Sequence, residues 1–74
     1  MENNEFGEYL RKLREAKKLS QFQLGKLVGV TDKAVSKWEN GYSRPKSNII
    51  LKLSEVLSVS ADELLTKMYS DSQL

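Results

Sequence analysis

Between Asp32 and Asn40 the side chains separate by chemistry. At about 100° per residue, Asp32, Lys33, Ser36 and Lys37 fall in one arc of a helix, and Ala34, Val35 and Trp38 fall in the opposite arc. The polar arc carries hydrogen-bonding groups of both kinds. Lys can donate to guanine O6 and N7, Asp can accept from cytosine N4, and Ser can do either. That set suits the base edges exposed in the major groove of duplex DNA. It would equally serve as the solvated face of any bundle helix, so the arc alone does not choose between them.

Other chemistries are poorly supplied. The chain has no Cys and no His, which removes thiolate and imidazole metal ligands and the commonest general base. No spacing of Ser, Lys and carboxylates assembles a nucleophile, a base and an orienting group, so the reading is not an enzyme, with no cofactor, metal or small-molecule ligand expected. The longest apolar run, Ile49 to Leu51, is far too short to span a bilayer. The polar, acidic start MENNEFGEY does not read as a signal peptide. The expectation is a cytoplasmic protein with no membrane partner.

Charge is unevenly distributed. Residues 11–52 hold eleven Lys and Arg against three acids (Glu15, Asp32 and Glu39), a net of +8, whereas the two ends together carry −6. A basic centre on so small a chain favours a polyanion at one face.

The elements that must position these groups are five short helices, at about 5–17, 21–28, 32–40, 48–57 and 61–69. Ser20 with Gln23 and Ser60 with Glu63 fit capping boxes, and Thr31 is a third N-cap. Each cap has its apolar staple pair: Leu19 with Leu24, Val30 with Val35, and Val59 with Leu64. Gly29 and Gly41 suit left-handed helix ends, and Pro45 makes 41–46 a loop. No strand-like alternation occurs, so the fold class is all-α. The expected core comprises Phe6, Leu10, Leu13, Leu24, Leu27, Val28, Ile50, Leu53, Leu57, Leu64, Leu65 and Met68, flanked by Ile49 and Val56. Residues 1–69 read as one domain and 70–74 as a flexible C-terminal tail.

Helices 2 and 3 are separated by only three residues, Gly29-Val30-Thr31, the length of the turn in a helix-turn-helix. A steep crossing needs a small residue at the contact. Gly25 supplies it, although Gly costs a helix interior about 1 kcal/mol relative to Ala.

The spacing Gln21-x3-Gly25-x3-Gly29-x5-Val35, within LREAKKLSQFQLGKLVGVTDKAVSKWENGYSRP, resembles the xenobiotic-response-element family of Cro- and phage-repressor-like regulators. The similarity runs from Phe6 to Leu65. It implies a compact five-helix, lambda-repressor-like DNA-binding domain, bacterial or phage-encoded. Helix 3 would enter the major groove of a palindromic operator and two copies would bind together. The resemblance assigns base reading to Asp32, Lys33, Ser36 and Lys37. It assigns backbone contacts to Gln21, Asn40, Ser43 and Arg44, to which Lys46 could add, and an ion pair to Arg14 and Glu39. Gly25, Gly29, Val35 and Trp38 are expected to be structural, Trp38 by its place on the buried arc. Dimer candidates are Tyr42, Leu65, Met68 and Tyr69, although Met68 and Tyr69 could equally belong to the core. Departures from the family are Lys18 where Gly often ends helix 1, Gly25 where Ala is common, and Lys46 where a capping Ser or Asp is usual, leaving Ser47 to cap helix 4. A different class of function, a protein-interaction module such as an antitoxin or adaptor, would use the same fold.

Overall fold

A computed structural model describes residues 4–72, with side chains for 4–70. Five helices follow one another: α1 (Glu5–Ala16), α2 (Gln21–Val28), α3 (Asp32–Glu39), α4 (Ser47–Leu57) and α5 (Ala61–Ser72). No strand occurs among the described residues.

The helix starts form as their sequences dictate. Ser20 Oγ accepts from Gln23 N at 3.0 Å, and Ser20 N donates to Gln23 Oε1 at 2.8 Å, closing the box reciprocally. Thr31 Oγ1 accepts from Ala34 N, and Ser60 Oγ accepts from Glu63 N. The Glu63 carboxylate, however, accepts from the Tyr9 hydroxyl of α1, so it serves a tertiary contact. That bond, then burial and the adjacent negative charge, push the Tyr9 phenol up to about 12. Lys67 joins the same seam, 3.3 Å from Glu5 Oε1 and 5.3 Å from the centre of the Tyr9 ring.

Four boundaries differ from expectation. Helices α1 and α3 each end one residue earlier, at Ala16 and Glu39. Helix α4 starts at Ser47, with Lys46 in the cap position and no side-chain cap bond. The buried Pro45 sets that entry by fixing the backbone just before it. Helix α5 runs on to Ser72, past the boundary drawn at residue 69, because neither Gly nor Pro interrupts it. Of the expected tail, residues 73–74 lie outside the described residues.

The helix ends share one device. Lys18, Gly29, Gly41 and Ser58 all adopt positive φ, at 59°, 85°, 83° and 60°. Each lets the chain turn back and feed its N–H groups to the last carbonyls, as when Leu19 N reaches Arg14 O and Tyr42 N reaches Lys37 O. Lys18 therefore takes the left-handed conformation that disfavours a side chain.

The core comprises Phe6, Leu10, Leu24, Val28, Val35, Trp38, Ile50, Leu53, Leu57 and Leu64. Leu13, Leu65 and Met68 pack partly buried against it. Leu27 does not: it is 57% exposed. Measured from Leu24, Gly25 lies about 100° to one side and Leu27 about 60° to the other. Because α3 closes against Gly25, the inward arc of α2 is turned toward Gly25 and away from Leu27. A Cβ on Gly25 would come within 2.7 Å of Val30 O, so the turn backbone occupies that space.

Candidate nucleic-acid interface

Helix α3 is held from below and left open above. Val35 is fully buried and Trp38 nearly so, which places the apolar arc against the core. That geometry makes Trp38 a packing residue. On the other arc Asp32, Lys33 and Lys37 are exposed and Ser36 is half-buried. Neither lysine side chain makes an ion pair or hydrogen bond within the described residues. The arc read from the sequence is thus a continuous outward surface of two ammonium groups, a carboxylate and a hydroxyl.

What holds α3 is a polar network beneath its C-terminal end. Glu39 is 2% exposed, the one buried charged side chain among the described residues. Arg14 reaches it from α1 as a fork, Nε to Oε2 at 2.6 Å and Nη2 to Oε1 at 3.0 Å. Its remaining Nη1 donates to Leu19 O at 2.8 Å, bracing the turn before α2. Arg11 Nε stands 3.5 Å from Oε1. Burial pushes the Glu39 carboxyl up, but the hydrogen bonds from Arg14 and Gln21 and the arginine charge outweigh it, leaving the group below its ordinary value. The same hydrogen bond raises Arg14, against the opposing effect of burial. The charge is paired and every buried side-chain polar atom described has a partner.

Gln21 belongs partly to this network. It opens α2 as expected, but its Nε2 donates to Glu39 Oε1 at 3.1 Å. Its position explains why: 21, 24, 25 and 28 share the inward arc of α2. The resemblance assigns Gln21 a DNA-backbone contact, and the first N–H groups of α2 beside it also lie outside the helical ladder.

Two residues escaped the sequence reading. Gly7 is buried where α1 crosses the end of α3, and a Cβ there would collide with Glu39 O and lie 2.8 Å from Glu39 C. Asn4 Nδ2 donates to Glu39 O at 2.8 Å, tying the start of α1 to the last turn of α3. The argument applied to Gly25, that a mid-helix Gly needs a packing reason, would have flagged Gly7. Asn4 precedes α1 as an N-cap type, but its side chain makes no cap bond, and nothing in the sequence marks its contact with Glu39.

Beyond α3 the loop 41–46 continues the outward surface. Tyr42, Ser43, Arg44 and Lys46 are exposed while Pro45 is buried, so the proline pins the loop and its neighbours project. Asn40 is exposed too, but its amide is turned back onto Ser36. Of the dimer candidates, Tyr42 is 82% and Tyr69 63% exposed, while Leu65 and Met68 lean on the core. The outer side of α2 differs from that of α3. Leu19, Phe22, Gln23, Lys26 and Leu27 line a shallow recess of about 300 Å³. No group of acidic side chains able to hold a metal occurs among the described residues, and no described helix is long and apolar enough to cross a membrane.

Comparison with known proteins agrees with this architecture. The helix-turn-helix family profile matches residues 10–64. The chain is 42% identical over 59 residues to repressor protein C2 of Salmonella phage P22, covering 80% of this chain and 27% of that protein. It is 42% identical over 62 residues to the transcriptional activator BcrR of Enterococcus faecalis, covering 84% of this chain and 30% of that protein. The chain thus spans less than a third of the length of these relatives. A crystal structure of the P22 c2 repressor in complex with a synthetic operator is similar with a TM-score of 0.77 and 41% identity, covering 80% of this chain and 89% of that one. The chain belongs to the helix-turn-helix family of Cro- and repressor-like regulators.

Proposed function

We propose that this helix-turn-helix chain binds double-stranded DNA sequence-specifically through α3 and regulates transcription, acting as a repressor by occupying its operator. The observation that carries the reading is the outward arc of α3. Its lysines have no partner among the described residues, while the opposite side of the helix is locked into the core. A helix so held can enter a groove about 12 Å wide without rearranging. Asp32, Lys33, Ser36 and Lys37 then face base edges. Ser43, Arg44 and Lys46, with the first N–H groups of α2, face phosphates and fix register. The likeness to a repressor captured with its operator supports the same placement.

Two copies would bind one palindromic site, their α3 helices about 34 Å apart, one turn of DNA. Tyr42 and Tyr69 offer the exposed aromatic surface for that pairing. An interaction module, by contrast, would need apolar or aromatic anchors on the face α3 presents. Asp32, Lys33, Ser36 and Lys37 supply none.

A fluorescence titration with random and selected duplexes at several salt concentrations tests the reading. The logarithm of affinity should fall linearly with the logarithm of salt, by about 0.9 per phosphate neutralised. Absence of salt-sensitive binding at low ionic strength would refute it. Sedimentation with and without a selected duplex tests the pairing, which a single protomer per site would exclude.

A further inference from the structure

Glu39 carries one negative charge and meets two arginines. Arg14 satisfies it with a two-point fork, and its side chain is only 11% exposed. Arg11 stands at the edge of the network, with its Nε 3.5 Å from Oε1 and its side chain 48% exposed. Its Nη groups find no acceptor among the described residues, and Glu8 and Glu15, one turn away on either side, form no ion pair with it. One arginine suffices to neutralise Glu39, so the charge of Arg11 is surplus.

That surplus charge is nevertheless held in place. Residues 7, 11 and 14 share one arc of α1. Gly7 lets this arc close on the end of α3, where a Cβ would collide with Glu39 O. The oxygen that Arg11 Nε approaches, Glu39 Oε1, also accepts from Gln21 Nε2 at 3.1 Å, and Gln21 is the first residue of α2. Arg11 therefore sits beside the start of α2. A guanidinium anchored through Nε keeps both Nη groups for a second acceptor, and that planar fork matches two phosphate oxygens. Arg11 belongs to the network by its Nε and to the surface by its Nη groups.

We infer that Arg11 is a DNA-backbone contact supplied by α1, outside the helix-turn-helix, and that it holds the phosphate lying over the start of α2. The inference rests on the DNA reading above and extends that footprint to a further helix. Glu39 orients the guanidinium and the Nη edge meets the phosphate. No base edge is touched, so the contact fixes register without reading sequence.

Arg11→Ala tests it, by fluorescence titration of the full chain against a duplex selected by the wild type and against a random one. Affinity should fall roughly tenfold at low salt, the worth of a hydrogen bond to a charged group, and equally on both duplexes. The slope of log affinity against log salt should become shallower by about 0.9. Lys12→Ala removes the same charge from the adjacent exposed position of α1 and should leave most of the affinity and slope in place. Replacing single phosphates of the selected duplex with neutral methylphosphonates should reveal a position that weakens the wild type but weakens Arg11→Ala no further. An unchanged salt slope in Arg11→Ala would overturn the inference while leaving the DNA reading intact. So would an equal loss in Lys12→Ala, or the absence of any such phosphate. A wild-type protein that binds no duplex would remove the DNA reading and this inference together. Urea titrations should find Arg11→Ala folded, because Arg14 still pairs with Glu39. Should it lose its fold, Arg11→Gln, which removes the charge but keeps a donor for Glu39, carries the same test.

Discussion

The two sides of α3 are polar in opposite ways. Beneath it, Glu39 is buried and takes hydrogen bonds from Arg14 and Gln21 with Arg11 close by. Above it, Lys33 and Lys37 project with no partner among the described residues. A buried charge fixes geometry because leaving it unpaired is costly, whereas an exposed ammonium keeps its hydration and remains available to a polyanion. Substitutions below α3 should therefore act on stability, and substitutions above it on binding.

The sharpest break of that contrast is Glu39→Ala. It leaves Arg14 nearly buried and unpaired, and should cost about 3–5 kcal/mol in a urea unfolding titration. If the loss is under about 1 kcal/mol, the network is not what holds α3. Lys37→Ala should do the reverse. Its melting should match the wild type, while affinity falls by about 1–3 kcal/mol with relaxed preference at particular base pairs. An equal loss on every sequence would move Lys37 to the phosphate contacts.

Gly7→Ala should destabilise by about 1–3 kcal/mol despite the better helix propensity of Ala, because its methyl meets the Glu39 carbonyl. Unchanged melting would show that α1 can shift without disturbing α3. Acid sharpens the comparison further. Glu39 is depressed in the folded state, so its contribution is fully present above its ordinary value of 4.5 and is lost as pH falls through the lower folded value. Glu39→Gln should remove that acid-dependent part, while Lys37→Ala should leave it in place. A smaller effect is expected at Lys18→Gly, which should gain about 1 kcal/mol by relieving a left-handed side-chain-bearing residue. Ser58→Gly should gain less, since it also loses the 3.0 Å bond from Lys17 Nζ to Ser58 Oγ.

Much of this molecule was legible in one dimension. Cap and staple pairs set the starts of α2, α3 and α5 because they depend on residues within five positions of each other. The short turn and its glycines announced the α2–α3 crossing, and the period of α3 separated Val35 and Trp38 from Lys33 and Lys37. Local spacing and backbone geometry suffice for such features.

Tertiary structure decided which of two helix edges is inward and which polar residue spends its hydrogen bonds internally. Leu27 and Gln21 each carry a type that suggests the opposite of where they lie; the rotation of α2 about its contact with α3 determined both. The Glu63 carboxylate, placed by its spacing to close a box on Ser60, takes Tyr9, Asn40 turned back onto Ser36, and Asn4 found a carbonyl 35 residues away. A polar side chain has several acceptors within reach of its type, and only the packed chain selects among them, because the choice depends on distances between helices that composition and periodicity do not contain.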